Sequence, residues 1–351
     1  MIVARAVVAI VGALIVGGVA IAAAGLSPLA TFSQLVMAAV GTPTAIRNSL
    51  LQAVPITFTA LGVAFAFRGG LFNLGGEGQL YAGALGGVAV ALAGRSLPGP
   101  VLLPAVLLAG ALGGTTWGAL AGAMRAWLGL SEIISTIMLN FILFWVVSFL
   151  VRGPIKDPQG GGYPYTAQVV AGARLPVLAG AVPTGALLAL VAAVVLWLLL
   201  ERTWLGLEIR AVGESCRVAR FAGVRVERRL FTLMAVAGLL GGLGGAAELA
   251  GNQHRLSDFF SPGWGYDAVA VALIGRGSPF GTLAAGLFFG GLESGSQAIQ
   301  ATAGVPDAVA RFVQGAAVLL LIVANTDAVG RALRRLPLAG RRALRGALAD
   351  S

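Results

Sequence analysis

Apolar runs of about 20 residues recur along this chain from residue 6 to residue 326. That is the length of helix a hydrocarbon layer of about 30 Å requires, because backbone N–H and C=O groups find no water inside it and must satisfy one another. The runs follow each other so closely that no soluble domain fits between them. Of 351 residues, 58% are hydrophobic and 11% charged, and the mean hydropathy is +0.90, which leaves too little polar surface for a water-soluble core. The expected fold class is an all-α polytopic membrane protein with interrupted or re-entrant segments. Ten crossings are predicted, near 6–26, 49–67, 78–94, 99–124, 131–151, 182–200, 230–250, 264–275, 280–300 and 308–326. The first is read as a retained span, since its core exceeds the roughly 7–15 residues of a secretory signal. Segment 29–46 reads as an interfacial helix followed by a bend, on the outer surface.

Orientation follows from the arginines, because short cytoplasmic loops collect Lys and Arg. Segment 201–229 carries Arg202, Arg210, Arg217, Arg220, Arg225, Arg228 and Arg229, and the tail carries Arg331, Arg334, Arg335, Arg341, Arg342 and Arg345. Placing both inside puts an even number of spans between them and makes both termini cytoplasmic. Residues 1–327 are then expected to form one transmembrane domain with 201–229 as its large inner loop, and 328–351 a basic tail. The net charge of +10 does not point to nucleic acid, because the arginines are dispersed between spans. Outer loop 152–181, rich in Pro, Gly and Tyr, suits an ordered surface turn that another protein could touch.

Catalytic classes find no support. Cys216 and His254 are each alone of their kind, which rules out an internal disulfide and leaves no metal-ligand cluster. No G-x-x-x-x-G-K-[ST] loop is present, and Lys156, the only lysine, lies in the outer loop. No enzyme, metal or cofactor is expected. An ion-driven transporter, a channel, or the membrane part of a machine with a separate motor remain.

The stretch "RGGLFNLGGEGQLYAG", residues 68–83, breaks the apolar pattern. Irregular backbone at membrane depth is tolerated only where protein or a water-filled cavity surrounds it. Phe72, Asn73, Glu77 and Gln79 are therefore candidates for a substrate path, with Arg68 near its cytoplasmic rim; a short solvated turn accounts for the same letters equally well. A second interruption, residues 272–297, overlays Arg276 on Arg68, Gly277 on Gly69 and Phe280 on Phe72. Paired breaks of this kind mark binding sites in transporters. Asn140 and Gln297 join the path candidates, although Asn140 suits a helix-to-helix hydrogen bond better. Glu248 and Glu293 are candidates for an ion pair or the pathway, and Glu132 and Asp267 for solvated span ends. In 201–229, Val218, Phe221 and Ala222 recur at helical spacing after Ser215, an N-cap residue. A short amphipathic helix there presents a knob to a partner's groove, or lies on anionic lipid.

Three stretches together resemble the permease subunits of bacterial ABC importers of the branched-chain amino acid, simple sugar and nucleoside family: "AFRGGLFNLGGEGQLYAGAL" at 66–85, "SEIISTIMLNFI" at 131–142 and "GLEIRAVGESCRVARFAGV" at 206–224. The first two resemble the nucleoside and simple-sugar branch. The third resembles the cytoplasmic coupling segment, with Gly206, Arg210, Ala211, Val212, Gly213, Ala219, Phe221, Ala222 and Gly223 in it. The resemblance implies a transport subunit in the bacterial plasma membrane, paired with a second permease chain. An ABC ATPase subunit and an extracytoplasmic substrate-binding lipoprotein would complete the assembly. It further implies that closure of the ATPase pushes on residues 206–223 and opens a path for nucleosides, or for ribose- or galactose-type sugars.

Overall fold

The computed structural model describes residues 27–178 and 182–303, with isolated positions between 15 and 25 and residue 315. Apart from those positions, the expected crossings 6–26 and 308–326 and the tail 328–351 lie outside the described residues. The chain forms two compact units, Met37–Gly295, and Met1–Val36 with Ser296–Ser351. In the smaller unit the described residues include the start of helix α1 (Pro28–Val40), where the Thr31 hydroxyl donates to the Ser27 carbonyl at 2.9 Å.

The larger unit is a helical bundle. In chain order it contains α2 (Pro43–Arg68), α3 (Gly76–Ala93), α4 (Gly99–Leu128) and α5 (Glu132–Arg152). A short antiparallel hairpin, β1 (Val177–Leu178) with β2 (Val182–Pro183), leads into α6 (Thr184–Arg202). The arginine-rich loop holds α7 (Trp204–Glu214) and α8 (Cys216–Phe221); α9 (Val226–Glu248) continues as a π-helical turn, Leu249–Gln253. Then come α10 (Trp264–Ile274) and α11 (Pro279–Ala303), the last of which leaves the larger unit at Ser296. Among the described residues, five helices are long and apolar enough to cross a bilayer: α2, α4, α5, α6, and α9 with its π turn.

Helix ends lie close to the expected spans, with two differences. Residues 43–46, expected to belong to the bend after an interfacial helix, already form the first turn of α2. Thr42 caps that helix by accepting from the Ala45 N–H at 3.0 Å, and Pro43 opens it with φ set for a helix. Helix α7, ahead of the expected helix after Ser215, was not anticipated, although its N-cap Thr203 accepts from Gly206 N–H at 3.2 Å.

The core forms around α2, in which every residue from Ala53 to Ala66 is buried. A helix buried on all sides must sit at the centre of a bundle. Helix α9 packs against it through glycines; a methyl group on Gly62 would lie 2.6 Å from the Ala237 carbonyl oxygen. Gly110, Gly114, Gly118 and Gly122 form an i, i+4 stripe along α4 whose backbone meets that of α9 at Met234, Gly238 and Gly242. The outer faces are apolar instead. On α5, Phe141, Trp145 and Phe149 recur every fourth residue and are more than half exposed, a surface suited to lipid rather than water. The described part of the outer loop, residues 152–178, is ordered, as expected. Its backbone bonds to the turn before α10 through Thr166 N–H to Leu256 O (2.9 Å) and Val169 N–H to His254 O (2.8 Å), and Arg152 pairs with Asp258.

Candidate functional site: the interrupted segments and the coupling helices

Helix α2 ends where glycine permits it. Gly69 N–H and Leu71 N–H return to the Ala66 carbonyl, and Gly70 takes φ 76°, a left-handed conformation that closes the helix end. From there the chain does not turn along the surface. Arg68 contacts Gly277, just past the end of α10, whereas Glu77 contacts Gly265 at the beginning of α10. Those two contacts are separated by the length of α10, 11 residues or about 16 Å of helix. Residues 71–75, extended, span about the same distance. The segment therefore climbs back into the bundle before α3 begins, which makes it re-entrant.

The N-termini of α3 and α10 meet at that depth. Each presents free N–H groups and the positive end of a helix dipole, and Glu77 lies between them. Its carboxylate accepts from Gly265 N–H at 2.7 Å and from the Ser261 hydroxyl. Ser261 in turn caps α10, accepting from Gly263 and Trp264 N–H at 3.1 Å each, while the Tyr81 hydroxyl accepts from the Ser261 N–H at 3.2 Å.

The path candidates gather here. Asn73 is 0% exposed, and its side chain exchanges hydrogen bonds with Gln79: Nδ2 to Oε1 at 3.2 Å and Nε2 to Oδ1 at 3.4 Å. Asn73 Oδ1 also accepts from Gly75 N–H at 2.8 Å. Asn140, 3% exposed, accepts from Gly78 N–H at 2.9 Å and donates to the Leu74 carbonyl at 2.8 Å. Tyr266 is hydrogen-bonded to the same amide. In this conformation the amides thus satisfy the irregular backbone and each other. Phe72 is partly exposed and packs against Phe67, the rings tilted by 35° with centroids 4.9 Å apart. Gln297 is exposed, on the part of α11 that belongs to the other unit.

Glu132, expected to be solvated, pairs with Arg125 at 3.2 Å. Glu248 is 1% exposed at the head of the π turn. One oxygen accepts from Asn252 at 2.7 Å and Gln253 at 3.3 Å, and beside it is a cavity of about 10 Å³, room for a single water. Past the end of that turn, burial and then the Arg174 charge hold the His254 imidazole below the ordinary histidine range.

The candidate coupling residues sort into two faces. Gly206, Val212 and Ala219 are buried, and Val212 and Ala219 pack with Val226. Ala211 packs beside them. Gly213 lies against the Arg68 carbonyl with no room for a side chain. Arg210 donates to the Leu200 carbonyl and pairs with Glu201. Ser215 caps α8 as expected, accepting from Val218 N–H at 3.4 Å; Gly223 ends that helix region with φ 84°. Phe221, Ala222 and Gly223 face outward. Together with Trp204, Leu207 and Val218, each more than 60% exposed, Phe221 makes an apolar knob. Beside it a cavity of about 420 Å³ is lined by Trp204, Glu208, Gly223, Arg225, Arg228 and Arg229. Two features went unread in the sequence, the glycine stripe of α4 and the link between Arg68 and Glu201. The stripe's fourfold spacing carries its signal; the link, between residues remote in sequence, has none.

The family described as branched-chain amino acid transport system, permease component, matches residues 45–323, which include both interrupted segments and the coupling helices. The chain belongs to this permease family. It is accordingly a transport subunit that passes through the membrane several times. The permease is 34% identical over 331 residues to a glucose ABC transporter permease protein of Haloferax volcanii, covering 91% of this chain and 87% of that one. It is 31% identical over 335 residues to a guanosine ABC transporter permease protein of Bacillus subtilis, covering 92% and 93%. A nucleoside ABC transporter permease protein of Lactococcus lactis is 31% identical over 326 residues, covering 90% and 89%. No solved structure matches the permease.

Proposed function

We propose that this permease forms the translocation path of an ATP-driven importer of nucleosides in a bacterial plasma membrane. In this reading it crosses ten times with both termini cytoplasmic, residues 1–327 form the membrane body and 328–351 a basic inner tail. A second, related permease chain stands beside it, an extracytoplasmic lipoprotein delivers substrate, and an ABC ATPase grips Phe221 and its neighbours. Exposed arginines around the knob suit an acidic groove on that ATPase. The observation that carries the reading is the similarity along nine-tenths of the chain to permeases named for guanosine and nucleosides. A base stacks on aromatic faces and bonds to amides, and Phe72, Asn73, Glu77, Gln79 and Asn140 provide such groups, with Gln297 further along the chain. Because these amides are now occupied by one another, substrate contact requires the segment to shift as the transporter opens, which the ATPase stroke supplies.

A simple sugar is the second reading, favoured by the relative named for glucose. Proteoliposomes containing the permease with its proposed ATPase, second permease and lipoprotein decide between them. ATP-dependent uptake of labelled guanosine, undiminished by excess glucose, is the expected result. Uptake of glucose alone selects the second reading, and transport by the permease alone on a proton or sodium gradient overturns both.

A further inference from the structure

Arg68 ends the central helix, and nothing in the path or the knob accounts for how it is held. Its guanidinium reaches in two directions. Nε donates to the Gly277 carbonyl at 2.9 Å, in the bend after α10, and Nη2 meets Glu201 Oε1 at 3.1 Å, at the end of α6. The other oxygen of Glu201 pairs with Arg210 of α7 at 3.3 Å, and Arg210 is tied back to the Leu200 carbonyl. The main chain repeats the connection: the Arg68 carbonyl rests on Gly213 of α7, and a methyl group on Gly70 would lie 3.4 Å from the same residue. Trp197 of α6 also meets Phe280 of α11, ring centroids 6.0 Å apart.

We infer that Arg68 is a positioning residue that carries movement of α7 and α8 to both interrupted segments at once, through Glu201 on one side and Gly277 on the other. The inference rests on the importer reading above. Arginine suits the task because its planar fork holds two acceptors at a fixed angle and stays charged, whereas lysine offers one mobile point charge. The three charged side chains are each about one-third exposed, 31%, 36% and 34%, so solvent weakens the pairs as static supports. Their removal therefore changes how motion is relayed more than whether the chain folds.

The test is the number of guanosine or glucose molecules taken up per ATP hydrolysed by the complete complex in proteoliposomes. Arg68→Lys keeps the charge but loses the planar fork that holds the two partners at a fixed angle. It is expected to assemble normally and hydrolyse ATP at close to the wild-type rate, with uptake per ATP lowered about tenfold, within the usual range of site-to-site coupling. Glu201→Gln is expected to lower the ratio less, and the double variant to be no worse than Arg68→Lys alone, because both changes cut one linkage. A wild-type ratio in Arg68→Lys, or losses that multiply in the double variant, overturns the inference. Should Arg68→Lys fail to assemble, Glu201→Gln decides, and an unchanged ratio there overturns it too. A wild-type complex that hydrolyses ATP and takes up neither solute removes the importer reading, and the inference with it.

Discussion

At the scale of the residue, Asn140 shows how the re-entrant segment is held. Its amide carries N–H donors and an acceptor oxygen at a fixed separation, and besides Tyr266 it meets Gly78 N–H on one side and the Leu74 carbonyl on the other. Alanine leaves both backbone groups buried without partners, at about 1–3 kcal/mol each. Asn140→Ala should lower the thermal unfolding midpoint in detergent well below that of the wild type, and Asn140→Asp, which keeps only the acceptor, should also fall below it. A midpoint unchanged in both variants would show that the amide is not what holds residues 71–78. The need for a partner is legible in the sequence, since an amide in mid-span costs energy unless bonded. Its identity is not, because Gly78 and Leu74 lie more than sixty residues away and offer backbone groups that every residue has.

At the scale of the element, the same limit separates what was expected from what was not. Ser215 announces a helix start because a side-chain oxygen that can accept a first-turn N–H is a local feature; Thr42 offers the same oxygen, but the Gly-Thr-Pro letters around it also suit the bend that was expected there. Gly69 and Gly70 mark an ending for the same kind of reason. The direction of the chain afterwards is a tertiary fact: five residues that climb into the bundle and five that turn in water are written with the same letters. The glycine stripe of α4 belongs to the element alone, and it yields a prediction. A methyl group on Gly114 would overlap the Gly238 carbonyl, and one on Gly242 the Gly110 carbonyl. Both obstacles are backbone, so relief requires moving α4 away from α9. Overpacking of this kind costs about 1–3 kcal/mol or more. Gly114→Leu should therefore give inserted but poorly assembled permease, seen as a loss of monodisperse complex in size-exclusion chromatography and faster proteolysis of the 94–98 loop. Gly129→Ala, at a position with open space around it but φ 67°, should cost less and leave assembly intact. Equal behaviour of the two would mean that the close approach of α4 and α9 does not matter.

At the scale of the whole molecule, the proposed orientation and the proposed docking can be read from one atom. Cys216 is the only cysteine in the chain and lies exposed at the start of α8, next to the knob and among the arginines that the positive-inside rule assigns to the cytoplasm. A membrane-impermeant maleimide should therefore label the wild-type permease in inside-out vesicles and leave it unlabelled in right-side-out ones. Labelling from outside would reverse the whole arrangement, since α7 and α8 are fixed to the end of α2 through Glu201 and Gly213 and cannot change sides independently. Adding the ATPase to inside-out vesicles should then slow the reaction, because a groove that closes over Phe221 also covers the first turn of a six-residue helix. If the rate is unchanged while ATP hydrolysis shows that the ATPase is bound, the partner grips elsewhere, and the exposed apolar surface of α7 and α8 must face lipid. Protection that also shifts with nucleotide would tie the α7–α8 knob to the ATPase cycle and, through Arg68, to the segment that holds Asn73 and Glu77.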